Sequence, residues 1–175
     1  MMKDYIKVYP ILNKKQCFDL INKYDSLCIQ EATSATKDGN VVLKDHRDCS
    51  VLPVDDPEID AILYEALAIY KKEFPLCNVT KRIDSQFLRY GIGGKFNAHV
   101  DSYGDAPRSI SMSVILNDNF TGGEFAFFDK TGYKELFNYP AVAGDVLIFP
   151  SNYMYPHAVK PVKFGIRYAV VNWLN

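Results

Sequence analysis

Two hydrophobic periods divide this sequence, and the switch between them near Pro75 limits the fold more than any other feature. Before it, apolar residues recur at spacings of three and four. After it, short runs rich in β-branched and aromatic residues are separated by glycines. From Asn13 to about residue 30, Cys17, Phe18, Leu20, Ile21, Tyr24, Leu27 and Cys28 share one face of a predicted helix, with Asn13 as its N-cap. A second helix should begin at Asp56-Pro57, a cap followed by proline in the first turn. It carries Ile59, Ile62, Leu63, Ala66, Leu67 and Tyr70 inward and stops before Pro75. Beyond it, residues 86–90, 109–116, 124–128, 145–149 and 165–173 read as strands, with Gly91, Gly93-Gly94, Gly122-Gly123, Gly132 and Pro140 between them. Short strands without crossover helices point to a sandwich or barrel rather than a parallel sheet.

A chain of 175 residues is expected to form one domain spanning 1–175. It would be mainly β with N-terminal helices: a helical support over about 1–75, packed on a β core over about 76–175. The 14% aromatic content, twelve Tyr and eleven Phe against one Trp, adds weight to strands. A net charge of −1 argues against a general nucleic-acid binder, which needs surplus Lys and Arg to displace counterions. No apolar run approaches the ~18–20 residues of a membrane span, and Met1-Met2-Lys3-Asp4-Tyr5 has no signal-peptide character. Cys17, Cys28, Cys49 and Cys77 form no C-x-x-C pair, so buried reduced thiols and a cytoplasmic setting are expected.

Chemistry concentrates on two of the three histidines. His99-Val100-Asp101 lies on an extended run, 96–101, where residues two apart project from the same side, about 7 Å apart at Cα. An imidazole and a carboxylate so placed suit two neighbouring positions on a divalent metal, and His157 would supply a third. Two histidines and one carboxylate, with the remaining positions open, form the usual site of non-haem Fe(II) oxygenases. By itself H-x-D also fits a turn histidine beside a solvated aspartate, because 21 of the 175 residues are acidic.

The sequence around His157 adds the decisive spacing. Pro156-His157-Ala158-Val159-Lys160-Pro161 leads through a Pro/Gly-rich turn to Arg167, ten residues after the histidine. Here the chain resembles the Fe(II)- and 2-oxoglutarate-dependent dioxygenases, in particular their prolyl 4-hydroxylase-like branch. The matching pattern runs from Tyr90-Gly91-Ile92-Gly93-Gly94-Lys95-Phe96 through His99-Val100-Asp101, Thr121-Gly122-Gly123-Glu124 and Ala143-Gly144-Asp145 to His157, Arg167 and Trp173. It covers roughly residues 80–175.

The resemblance implies a double-stranded β-helix, or jelly roll, with Fe(II) held by His99, Asp101 and His157. Arg167 would grip the 5-carboxylate of 2-oxoglutarate, Tyr90 would hydrogen-bond the co-substrate, and Val159 and Ile115 would wall it. His99, Asp101, His157 and Arg167 form the implied catalytic set. Some relatives carry a second tyrosine at the Ile115 position; without it, Ser111 and Ser113 become candidates to share the carboxylate. Iron, 2-oxoglutarate and O2 are the implied cofactors, with ascorbate as accessory reductant. The implied reaction hydroxylates a C–H bond, releasing succinate and CO2, on a prolyl residue of a protein or peptide substrate. A free amino acid or other small molecule is the alternative substrate, and a non-catalytic metal-binding jelly roll the alternative class. Asp101 favours hydroxylation over halogenation, and the lack of a second Arg after Arg167 argues against a nucleic-acid substrate. Residues 33–40 and 102–108 are candidate lids. His46, with Arg47 and Ser50, falls where peptide-modifying relatives border their substrate groove, although a solvated loop is the favoured reading.

Overall fold

Asn13 opens the first helix, α1 (Lys14–Tyr24), with a reciprocal capping box. Its side chain accepts the Gln16 N–H while the Gln16 amide oxygen accepts the Asn13 N–H. The computed structural model describes residues 2–37, 39–80, 82–103 and 107–175. Cys17, Leu20 and Tyr24 are buried, whereas Phe18 and Leu27, expected on the same face, are exposed. Phe18 falls to one side of the narrow Cys17–Leu20–Tyr24 stripe. Leu27 lies in a 3-10 turn, Asp25–Leu27, whose tighter winding breaks the helical period.

The second helix, α2 (Pro57–Glu73), follows the sequence closely. Asp56 caps it by accepting the Glu58 N–H at 2.9 Å, Pro57 occupies the first turn, and all six residues expected inward are buried. Asp56 also receives the Tyr24 hydroxyl and the Lys23 ammonium, so one carboxylate both caps α2 and ties it to α1.

The helices cover one face of a seven-stranded antiparallel sheet. Its order is Lys7–Pro10, Asp145–Pro150, Ile110–Ile115, Arg167–Leu174, Arg82–Tyr90, Ser50–Val54, Gln30–Glu31. Met112, Val114, Val146, Ile148 and Val170 on that face pack with Leu20, Ile59, Leu63, Ala66 and Tyr70. The opposite face meets a five-stranded sheet ordered Glu135–Tyr139, Phe125–Phe128, His157–Val159, Lys95–His99, Arg47–Asp48. Leu88, Tyr90, Leu147 and Phe149 from the large sheet join Phe125, Phe127 and Val159 from the small one in this second core. Alternation sends residues of opposite parity to the two cores, the signature of a sheet buried on both faces. The result is a jelly roll backed by helices.

The N-terminal part is less purely helical than its periodicity suggests. It contributes Lys7–Pro10, Gln30–Glu31, Arg47–Asp48 and Ser50–Val54 to the two sheets, mostly toward their edges. Its first strand is fastened by Gly144, whose carbonyl accepts from the N–H groups of both Ile11 and Leu12. Gly144 has φ +98°, and a Cβ there would lie 2.0 Å from the Leu12 oxygen, so only glycine permits the approach.

Replacing Asp56 removes a helix cap and strands a buried hydroxyl together. Asp56→Ala is expected to lower the unfolding free energy by about 2–4 kcal/mol in urea titrations, against about 1 kcal/mol for Asn13→Ala.

Candidate metal centre and its cavity

His99 closes the Lys95–His99 strand, and His157 opens the His157–Val159 strand beside it. The antiparallel register sets the two residues directly opposite, with ring centroids 4.3 Å apart. Each ring is aimed by the same local device. His99 Nδ1 lies 2.8 Å from the Asn97 carbonyl and His157 Nδ1 lies 3.0 Å from the Tyr155 carbonyl. A carbonyl only accepts, so Nδ1 carries the proton and Nε2 keeps its lone pair for a metal. Phe96 stacks on His99 and Phe125 stacks on His157.

Asp101 does not lie on the strand, as the extended run 96–101 had suggested. The strand ends at His99, and a bend carries the carboxylate over both imidazoles. Its Oδ1 lies 3.5 Å from His99 Nε2 and its Oδ2 lies 3.4 Å from His157 Nε2. The candidate ligand atoms of His99, Asp101 and His157 all fall within 4.8 Å of one another, the one such group among the described residues.

Asp101 and His157 are buried, and burial alone would neutralise both. Burial does oppose ionisation of Asp101, but His157, His99 and the Ser111 hydroxyl outweigh it and hold the carboxyl far below its usual range. Burial pushes the His157 imidazole down to about 4, with Asp101 pulling the other way and His99 adding to the fall. At neutral pH the site therefore presents a carboxylate and a neutral buried imidazole, the forms that bind a metal.

The three candidate ligands line a narrow cavity together with Leu88, Tyr90, Phe125, Phe149, Val159 and Val171. Arg167 is packed against Tyr90 with its guanidinium carbon 5.3 Å from the ring centroid, and it is 1% exposed. Its Nε donates to the Gly123 carbonyl at 3.1 Å, and no carboxylate pairs with it among the described residues. Burial draws the guanidinium pKa down and pushes the Tyr90 phenol up, so that hydroxyl stays a proton donor.

The serines near Ile115 have separate fates. Ser111 donates to Asp101 Oδ2 at 2.6 Å, whereas Ser113 lines the cavity with its buried hydroxyl unpartnered among the described residues. Ile115 is buried but does not reach the cavity wall; Val159 and Tyr90 do. Gly123 was legible only as a turn glycine. At φ +65° its carbonyl seats Arg167, and a Cβ there would crowd Arg167 Cδ at 3.1 Å.

Outside the ligands the cavity opens into a broad polar groove bordered by His46, Arg47, Asp84, Tyr103, Arg108 and Trp173. Arg108 lies over Trp173 at 3.8 Å and Arg47 over Phe96 at 4.7 Å. His46 is half-buried with its edge on Phe96, so it belongs to the groove wall rather than to a solvated loop. Of the two candidate lid segments, Asp38 and residues 104–106 lie outside the described residues; 34–36 and 39–41 pair as a small ribbon. All four cysteines are free, with Cys17, Cys28 and Cys49 buried. Among the described residues no helix is long and apolar enough to cross a membrane.

Comparison with known proteins follows the same lines. The 2OG-Fe(II) oxygenase superfamily matches residues 85–175. The chain is 31% identical over 85 residues to a PKHD-type hydroxylase of Prochlorococcus marinus, covering 46% of this chain and 36% of that protein. It is 34% identical over 98 residues to a PKHD-type hydroxylase of Hyphomonas neptunium, covering 50% and 41%. The chain thus spans about two fifths of the length of the curated relatives it matches. Among solved structures, a Pseudomonas putida prolyl-4-hydroxylase superposes with TM-score 0.77 at 18% identity, covering 98% of this chain and 92% of that one. A Trichoplax adhaerens prolyl hydroxylase, solved with a peptide fragment of hypoxia inducible factor, superposes with TM-score 0.73 at 19% identity, covering 97% and 83%. At these identities the superpositions establish the shared fold.

The depressed His157 pKa ties stability to pH. The unfolded chain takes up a proton near pH 6.5 and the metal-free folded protein only near pH 4, so stability present above 6.5 is lost as pH falls through that window. The loss attributable to His157 is expected to be about 3 kcal/mol, read as a falling urea midpoint between pH 7 and pH 4 that is blunted in His157→Gln.

Proposed function

The chain belongs to the 2OG-Fe(II) oxygenase superfamily, and from that premise we propose that it is a prolyl 4-hydroxylase-like dioxygenase acting on a prolyl residue of a protein or peptide. The observation that carries this reading is Arg167: a buried guanidinium without a carboxylate partner among the described residues, packed on Tyr90, which lines the same cavity as the three candidate ligands. An unpaired buried charge is costly, and a protein that merely held a metal would have no use for one. A dicarboxylate resolves the cost. One of its ends would pair with Arg167 while the other faces His99, Asp101 and His157.

The donor set fits Fe(II) and 2-oxoglutarate. Two imidazoles and one carboxylate are a borderline set suited to ferrous iron, and three protein ligands leave room for a chelating co-substrate and O2. When bound, iron with 2-oxoglutarate and O2 supplies the oxidising power for C–H hydroxylation, with succinate and CO2 as co-products. The chain's own residues bind and orient. Arg167 offers a planar fork matched to a carboxylate, Gly123 holds that fork by its Nε, and Tyr90 stands beside it as a protonated donor. Leu88, Phe125, Val159 and Val171 exclude water from the co-substrate's path.

The groove supports a chain-like substrate. Ser34, Asn40, Arg108 and Trp173 all line it, and its volume of about 530 Å³ exceeds what a free amino acid would fill. The similar proteins named above as prolyl hydroxylases, one bound to a peptide, favour the prolyl assignment.

Purified protein with Fe(II), 2-oxoglutarate, ascorbate and a panel of proline-containing peptides should release succinate and add one oxygen atom to a peptide, read by mass spectrometry. Hydroxylation of free amino acids alone would overturn the peptide assignment, and no turnover on either panel would leave a metal-binding module. Arg167→Ala is expected to cost about 2–5 kcal/mol in co-substrate binding, seen as a raised KM for 2-oxoglutarate with metal affinity retained. Gly123→Ala should move the same KM in the same direction, since its methyl group would meet Phe120 Cε2 at 2.9 Å and Arg167 Cδ at 3.1 Å.

A further inference from the structure

We propose that Ser111 and Ser151 form a two-hydroxyl relay that makes Asp101 a one-oxygen ligand and so keeps coordination positions free. The proposal rests on reading His99, Asp101 and His157 as the metal ligands. Ser111 Oγ lies 2.6 Å from Asp101 Oδ2, and Ser151 Oγ lies 2.7 Å from Ser111 Oγ. All three residues are buried, the serines at 2% and 1% exposure.

The direction of the relay follows from its end. An ionised carboxylate can only accept, so Ser111 gives its single hydroxyl proton to Asp101, and the Ser111–Ser151 contact must use the Ser151 proton. Donation from Ser151 makes the Ser111 hydroxyl a better donor in its turn, in a site shielded from water. Ser151 also holds the main chain beside Asp101. Its carbonyl accepts the Ser102 N–H and its own N–H donates to the Ser109 carbonyl, each at 3.0 Å. One residue thereby fixes both the backbone after Asp101 and the hydroxyl that orients the side chain.

The consequence concerns coordination. A free carboxylate can offer a metal both oxygens and occupy two positions. With Oδ2 tied to Ser111, Oδ1 is the oxygen left without a hydroxyl, beside His99 Nε2. Three protein donor atoms then hold the metal instead of four, which a chelating co-substrate together with O2 requires. Ser111 and Ser151 are thus positioning residues.

The test is Co(II) binding to the purified metal-free protein, followed by chelator competition and by the visible ligand-field spectrum, with circular dichroism as the fold check. Ser111→Ala is expected to weaken Co(II) by about 10–100-fold, to change the ligand-field bands, and to lower 2-oxoglutarate affinity for the Co(II) form. Ser111→Thr, which keeps the hydroxyl, should restore both affinity and spectrum. Ser151→Ala should shift both in the same direction by less. A role confined to packing would lower the unfolding temperature of the metal-free protein while leaving affinity and spectrum unmoved, and that result overturns the proposal. Should Ser111→Ala fail to fold, Ser151→Ala decides, because its hydroxyl does not touch the carboxylate; unchanged binding in it is equally fatal. His157→Ala separates the two levels. If it binds Co(II) as tightly as the wild type, the metal site itself is wrong; if it loses Co(II) while the serine variants do not, only the relay falls.

Discussion

The pairing of His157 with His99 across one antiparallel ladder is the constraint from which the site is built. Register decides it, since a slip of one residue would send one imidazole to the opposite face of the sheet. The pairing is locked from both sides. Phe125 and Phe127 on the next strand pack behind His157, and Phe96 lies flat on His99. Each ring also bonds the carbonyl two residues before it, so orientation comes from the local chain while proximity comes from the sheet. A bend after His99 then suffices to deliver Asp101.

The interior of the barrel holds charges that an ordinary core would exclude. Burial opposes the ionised form of Asp101, which the hydroxyl proton donated by Ser111 favours. Arg167 keeps its place through Gly123 and Tyr90 without an internal counter-ion among the described residues. Such groups cost stability, and the aromatic packing between the sheets together with the helical backing of the large sheet offsets that cost. A ligand that supplies the missing negative charge would bind the folded state alone and stabilise it. The destabilising groups are the same residues that the proposed function uses.

Legibility followed interaction range. The inward face of α2 was readable residue by residue because a helix repeats within itself, and its Asp56-Pro57 start satisfies a purely local need for a cap. Phe18 was misplaced because the width of the buried stripe depends on what packs against it. The strands Gln30–Glu31 and Arg47–Asp48 escaped notice because two residues carry no period; they are strands only by bonding to Ser50–Val54 and Lys95–His99. Ser151 had no local signal at all, its place beside Ser111 arising from two neighbouring strands.

By itself the sequence determined the candidate ligand types and the spacing that set them apart: H-x-D, a distal histidine, and an arginine ten residues later beyond a glycine turn. Spacing carries that information because neighbouring strands of nearly constant rise convert residue counts into positions. Only the tertiary structure decided which atoms meet. It assigned Ser111 to Asp101, left Ser113 facing the cavity, withdrew Ile115 from the wall and made the Gly123 carbonyl a seat for Arg167. Those outcomes depend on register, strand bending and burial between segments far apart in the chain, which no local pattern encodes.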